Sequence, residues 1–196
     1  MVFAYRSYFS TNTGIVNTFS EFAFSGLEID FFPGRGYDKE NDKRRMAVSP
    51  MKFRKIYLEI SNVCNLKCSF CPGTTRAPNM MSEAEFRALM PKLRPWSDFL
   101  YFHLMGEPLL HPQLERFLQI AGEAGFRVIL TTNGTLLERQ KELLLSAPGL
   151  HKVNISLHSF EANEAGMSFA AYLDACFAYG QAASGKKLTV YRLWNQ

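Results

Sequence analysis

The run "DFLYFHLMGEPLLHPQLERFLQIAGEAGFRVILTTNG", residues 98–134, changes its apolar period twice. Residues 98–105 form a short apolar and aromatic block, which predicts a strand. "HPQLERFLQIAGEAG" then spaces its apolar residues as a helix does, with Pro112 suited to the first turn and Gly125 to the exit. "FRVILTT", residues 126–132, is a second strand-like block. A strand, a helix and a strand in that order predict parallel strands joined by a right-handed crossover.

The same alternation extends in both directions. Upstream, "KIYLEIS" (residues 55–61) predicts a strand, and "MSEAEFRALMPKL" a helix that Ser82 and Glu85 open as a capping box and Pro91 ends or kinks. Downstream come "LLERQKELLLSAPG", a helix closed by Pro148 and Gly149, and the strand "HKVNISL" (151–157). A helix ending near Gly185 and a fifth strand, "KLTVYRLW" (187–194), follow. Five strands with helices between them predict an α/β fold, a parallel barrel or a doubly wound sheet. Both folds gather their chemistry at the C-terminal ends of the strands. Each strand here leads into polar or glycine residues: the cysteines, "GEP", "NGT", "SLHS" and "RLWN".

Composition narrows the classes. The chain has 196 residues and a formal charge of +4, with both signs scattered, which describes a solvated surface and not a nucleic-acid footprint. No apolar run reaches membrane-spanning length and no signal-peptide pattern opens the chain, so a cytoplasmic protein without a membrane partner is expected. Residues 1–37 are rich in Phe, Ser, Thr and Gly and alternate in patches such as Glu21-Phe22-Ala23-Phe24, enough for a strand or two. "DKENDKRR", residues 38–45, reads as a charged linker. Because the regular alternation starts at Met51, residues 1–50 read as an extension and linker of uncertain order, and residues 51–196 as the working domain.

Three of the four cysteines crowd into "EISNVCNLKCSFCPG", residues 59–73. Neighbours this close rarely reach disulfide geometry, so metal ligation is the better reading. A structural zinc site wants four ligands, usually as two paired half-sites, and no second Cys or His pair stands at such a spacing. Cys176, between Ala175 and Phe177, reads as a small buried hydrophobe. Three cysteines suit an iron-sulfur cluster with one iron left open for a ligand.

"CNLKCSFC" has the Cys-x3-Cys-x2-Cys spacing of the radical S-adenosylmethionine superfamily, and Phe70 fills the aromatic place before the third cysteine. "HLMGEP", "TTNG" and "ISLHS" resemble that family's motifs after strands two, three and four, in the right order. The resemblance covers about residues 51–196 and implies a partial parallel β/α barrel of about five βα units. It implies that Cys64, Cys68 and Cys71 hold a four-iron, four-sulfur cluster whose open iron chelates S-adenosylmethionine. An electron passed through the cluster would cleave that cofactor to a 5'-deoxyadenosyl radical, which takes hydrogen from a substrate. By the same analogy Gly106 and Glu107 meet the methionine end, Phe70 faces adenine, Asn133 and Ser156 contact ribose or carboxylate, and Arg192 pairs with the carboxylate. Met105 stands where the family often has a first glycine, and the usual core carries a sixth strand beyond the fifth, which implies an incomplete barrel. An external donor such as flavodoxin or ferredoxin and a substrate of unknown identity, with a preference for peptide or protein, complete the expectation. A non-catalytic iron-sulfur or electron-transfer module and a zinc-binding domain stay open as alternatives.

Strand alternation adds detail. If Glu107 points into the barrel, Met105, His103 and Tyr101 lie on its side, and Asn154, Ser156 and His158 share a face opposite Val153, Ile155 and Leu157. His111 and His151, beside element starts, cap or sit in solvent.

Overall fold

A computed structural model of the chain describes residues 53–162 and 167–193, together with the backbone of the strands β1 (Val2–Ser10), β2 (Gly14–Ser25) and β3 (Glu28–Phe31). The charged linker at residues 38–45 lies outside the described residues. The parallel strands are β4 (Lys55–Leu58), β5 (Phe99–Phe102), β6 (Arg127–Thr132), β7 (Leu150–Ser156) and β8 (Leu188–Arg192). Between them run α1 (Glu83–Leu93), α2 (Leu114–Glu123), α3 (Leu137–Ser146) and α4 (Phe169–Ala183). The sheet order is β3-β2-β1-β4-β5-β6-β7-β8, with β4 to β8 parallel and in chain order, the wall of an open β/α barrel. The N-terminal stretch supplies three antiparallel strands where a strand or two was expected, and β1 pairs with β4 from Val2 opposite Leu58 to Tyr5 opposite Lys55.

One face of the parallel sheet is apolar and helix-covered. Ile56, Leu58, Leu100, Phe102, Val128, Leu130, Val153 and Ile155 are each no more than 1% exposed. Phe86 of α1 stacks on Phe117 of α2 at 4.2 Å and meets Phe102 edge-on at 5.8 Å, so two helices and a strand share one aromatic knot. Ser82 and Glu85 make the expected capping box at the start of α1. Pro91 falls in the last turn, where it removes the N–H that would bond the carbonyl of Arg87, and the helix goes only three residues further, to its cap at Arg94. Gly149 lets α2 approach the β7 entry: a Cβ there would stand 2.1 Å from the Leu118 carbonyl oxygen.

The strands are shorter at their C-terminal ends than their composition suggests. β4 stops at Leu58 and β5 at Phe102, three residues before each expected end. The chain leaves the sheet there to build the rim.

Candidate functional site

The cysteine loop is slung between three strand ends. At the β5 exit, the Glu107 N–H donates to the Val63 carbonyl oxygen at 2.8 Å. At the β6 exit, Asn133 Nδ2 donates to Asn65 Oδ1 at 2.9 Å and lies 4.0 Å from Cys64 Sγ, while Asn65 Nδ2 donates to Thr135 Oγ1 at 2.9 Å. At the β7 exit, Ser69 gives its N–H and hydroxyl to Glu161 Oε1 at 2.9 and 2.6 Å, and the Cys68 thiol lies 3.9 Å from the Ser159 carbonyl oxygen. The returning segment is tied as well: Asn62 Nδ2 donates to the Ala77 carbonyl at 2.8 Å, and Arg76 grips the buried Glu59 carboxylate with both guanidinium nitrogens.

The three thiols stay outside any disulfide, Cys64 and Cys71 exposed and Cys68 half-buried. Burial, then the nearby charges of Glu107 and Cys71, raise the Cys64 thiol above its ordinary value, and burial does the same at Cys68 with Cys64 and Cys71 adding to it. The three sulfurs therefore share one electrostatic neighbourhood. Among the described residues no three Cys, His, Asp or Glu groups close around a single ion.

The "GEP" turn explains its own glycine. Gly106 has φ +79°, and a Cβ there would fall 2.5 Å from the Ser61 carbonyl oxygen and 2.9 Å from that of Val63. Only glycine lets this turn pass under the strand that leads into Cys64. Glu107 is buried and bridges two strand exits: Oε1 accepts from the Leu109 N–H at 3.0 Å and Oε2 from the Asn133 N–H at 2.7 Å. Burial pushes its carboxyl up to about 7, against the lowering effect of the Asn133, Leu109 and Thr132 donors. Strand alternation does not carry through the left-handed turn, so Glu107 faces backbone donors while Tyr101 and His103 face the sheet's other side.

That other side is an inner wall of half-buried and polar groups. Tyr57 meets Tyr101 at 5.2 Å and His103 at 6.2 Å. Asn154, Ser156 and Lys152 continue the face along β7, with Ser156 in register with Arg192. Burial and the Arg192 charge lower His103, and the same charge acts on Tyr101 and Lys152 along this wall. His158 leaves the face at the 3-10 turn Leu157–Ala162, where its ring packs on Phe70 at 4.7 Å and its Nδ1 meets the Arg192 carbonyl oxygen at 3.3 Å.

The residues expected from sequence thus fall on one rim: Cys64, Cys68, Cys71 and Phe70 on the loop, and Gly106, Glu107, Asn133, Ser156 and Arg192 at four strand exits. Cys176 is fully buried, with its thiol raised by burial to about 11. His111 does cap, its Nδ1 accepting the Gln113 N–H at 3.1 Å, and it is buried and not in solvent. Sequence reading missed Asn65, Glu161 and Tyr172. The Tyr172 hydroxyl donates to the Asn133 carbonyl at 2.8 Å. These partners lie tens of residues away from the groups they hold, and no local period marks them.

Comparison with known proteins agrees with this geometry. The family model described as the Radical SAM superfamily matches residues 58–183. The chain belongs to the radical SAM superfamily. The cofactors of this superfamily are a four-iron, four-sulfur cluster and S-adenosylmethionine. The Fe-coproporphyrin III synthase of Methanosarcina barkeri is 28% identical over 124 residues, which is 59% of this chain and 31% of that protein. The crystal structure of BtrN in complex with AdoMet and 2-DOIA superposes with a TM-score of 0.54 at 25% identity, covering 69% of this chain and 55% of BtrN. Streptococcus suis SuiB bound to precursor peptide SuiA shares the fold, with a TM-score of 0.59 at 18% identity, covering 87% of this chain and 43% of SuiB. The chain spans between about a third and half of the length of these radical SAM proteins. Among the described residues no helix is long and apolar enough to cross a membrane.

Proposed function

We propose that residues 51–196 are the working part of a cytoplasmic radical SAM enzyme that takes hydrogen from a peptide or protein substrate, with one electron drawn from flavodoxin or ferredoxin. When bound, the cofactor pair would supply one-electron reductive cleavage of S-adenosylmethionine, giving methionine and 5'-deoxyadenosine that carries the substrate's hydrogen. Cys64, Cys68 and Cys71 hold the cluster. Glu107, buried and already fixed by two backbone donors, accepts the cofactor's ammonium, which favours the ionised carboxylate. Phe70 offers its ring face to adenine, and Gly106 leaves room at the methionine end. Asn133 and Ser156 bond ribose or carboxylate, and Arg192 pairs with the carboxylate. SuiB, whose structure holds its precursor peptide, is the parallel for the substrate class.

The observation that carries this reading is the three-cysteine loop tied by hydrogen bonds to the three strand exits bearing the "GEP", "TTNG" and "ISLHS" motifs. The test is anaerobic reconstitution followed by dithionite and S-adenosylmethionine. Formation of 5'-deoxyadenosine is expected, and it should disappear with Cys64→Ala. Full iron and sulfide with no cleavage would replace the enzyme by a non-catalytic cluster module, and stoichiometric zinc without sulfide would end the iron-sulfur reading.

A further inference from the structure

The two ends of the cysteine loop hang on different strand exits. Cys64 and Asn65 lie against the β6 exit, Asn65 tied there through Asn133 and Thr135. At the other end three successive residues, Cys68, Ser69 and Phe70, meet the 3-10 turn Leu157–Ala162 that follows β7. The Cys68 thiol stands 3.9 Å from the Ser159 carbonyl oxygen, and the Phe70 ring is centred 4.7 Å from that of His158. Neither contact fixes the backbone. Ser69 makes the one that does: its N–H and its hydroxyl converge on Glu161 Oε1 at 2.9 and 2.6 Å, across 92 residues of chain. The Cys71 N–H in turn donates to the Cys68 carbonyl oxygen at 3.1 Å, so Cys68 and Cys71 bracket one closed turn with Ser69 inside it.

Glu161 is exposed, and bonds made by an exposed carboxylate contribute little to the stability of a whole fold. What this one fixes is local, because it lands between two of the three thiols that a cluster needs. It also acts on charge. The Ser69 nitrogen is joined to the carbonyl carbon of Cys68, so a carboxylate held on that N–H places a negative charge one peptide group from a ligand. The same bond takes up an N–H that could otherwise reach a cluster sulfur. Added negative charge and fewer hydrogen bonds to sulfur both make an iron-sulfur cluster harder to reduce.

We infer that Glu161 is a positioning residue for the cluster: it holds the turn from Cys68 to Cys71 in place before the cluster arrives, and its charge makes the bound cluster harder to reduce. The inference rests on the radical SAM reading for the cluster itself. It adds what that reading lacks, a residue distant in sequence that readies two of the thiols and tunes the electron passed through them. Glutamine in its place keeps a carbonyl oxygen for both Ser69 donors and carries no charge, so position and charge can be separated.

The full chain is prepared as wild type, Glu161→Ala and Glu161→Gln. Each is first digested with trypsin before reconstitution, and the cut after Lys67 in the loop is read against the cut after Arg76, whose guanidinium is held by Glu59. Glu161→Ala should be cut after Lys67 about fivefold faster or more, with the Arg76 cut unchanged, and Glu161→Gln should stay within about twofold of the wild type at both. On anaerobic reconstitution Glu161→Ala should take up iron and sulfide several-fold more slowly. Glu161→Gln should load as the wild type does, yet its reduction equilibrium should be more favourable by about threefold or more, the effect of one charge in an exposed setting, in a redox titration followed by electron paramagnetic resonance. Equal Lys67 cutting in Glu161→Ala and wild type, equal acceleration at both cut sites, or a Glu161→Gln cluster with the wild-type potential would overturn the assignment. Zinc uptake without sulfide by the wild type would sink the cluster reading, and the Lys67 digest would still decide whether Glu161 holds the loop.

Discussion

The two faces of the parallel sheet run along the same strands and share the same backbone bonds, but they carry different work. Ile56, Leu58, Leu100 and Phe102 face the helices and are essentially without solvent. Their neighbours Lys55, Tyr57, Tyr101 and His103 face the inner wall with polar tips and rings at 5 to 6 Å spacing. The first set stabilises by removal from water, on the order of 1.5–3 kcal/mol for each large side chain. The second set carries charge at a half-buried surface, where burial and then the Arg192 and Lys55 charges lower Lys152. A fold that spends one face on stability can keep unfavourable chemistry on the other.

The four cysteines give the sharpest test of that division, because three stand at the rim and one under the helices. Alanine at Cys64, Cys68 or Cys71 should abolish cluster assembly, read as iron and sulfide per chain. Cys176→Ala should leave both unchanged, since its thiol is wholly buried at the helix side. Equal iron loss in all four variants would break the comparison at its strongest point.

Adjacent positions on β5 test the faces directly. Phe102→Ala should cost about 3–5 kcal/mol in urea denaturation, because it opens a cavity beside Phe86 in a closed core. Tyr101→Ala, one residue away on the half-buried face, should cost less than about 1.5 kcal/mol. Similar losses would mean that both faces are sealed in the folded chain.

Glu107 sits where the two regimes meet. Its folded value of about 7 lies above the ordinary carboxylate value of 4.5, so the folded chain binds this proton more tightly than the unfolded one. The stability it contributes is therefore full below about pH 4.5 and is lost as pH rises through 7, a change of about 3 kcal/mol from a shift of that size. Glu107→Gln should lower stability at acid pH, since its NH2 cannot accept one of the two backbone N–H groups, and should flatten the slope between pH 4.5 and 7. Parallel pH profiles for the two proteins would place the carboxyl's proton elsewhere.

The order of strands and helices was legible in the sequence because each face repeats its own period, two on the strands and 3.6 on the helices. The rim motifs were legible as residue types, and Gly106 could be marked as special before any coordinates. What Gly106 clears was not legible: its neighbours are carbonyls of Ser61 and Val63, more than forty residues earlier. Strand ends failed for a related reason. Residues 59–61 (Glu-Ile-Ser) and 103–105 (His-Leu-Met) continue the alternation of a strand, but they leave the sheet to make the rim. Asn65, Glu161 and Tyr172 carry ordinary polar or aromatic character locally, and only long-range contact gives them a role.

The smallest expected effect separates two tyrosines on the buried side of α4. Tyr172 and Tyr179 stand two turns apart and are both buried. The Tyr172 hydroxyl donates to the Asn133 carbonyl oxygen at 2.8 Å and lies where a side chain at Gly134 would clash, so the helix side reaches the rim through this hydroxyl. Among the described residues the buried Tyr179 hydroxyl has no hydrogen-bond partner. Phenylalanine keeps either ring in place and removes only the oxygen. Tyr172→Phe should cost about 1 kcal/mol, because it leaves the Asn133 carbonyl without that donor. Tyr179→Phe should be neutral or slightly stabilising, since it relieves an unsatisfied buried group. If Asn133 belongs to the cofactor site, Tyr172→Phe should also weaken S-adenosylmethionine binding a few-fold, measured by equilibrium titration of the reconstituted chain, while Tyr179→Phe leaves it alone. Equal stability changes in the two variants would show that this bond does not steady the rim.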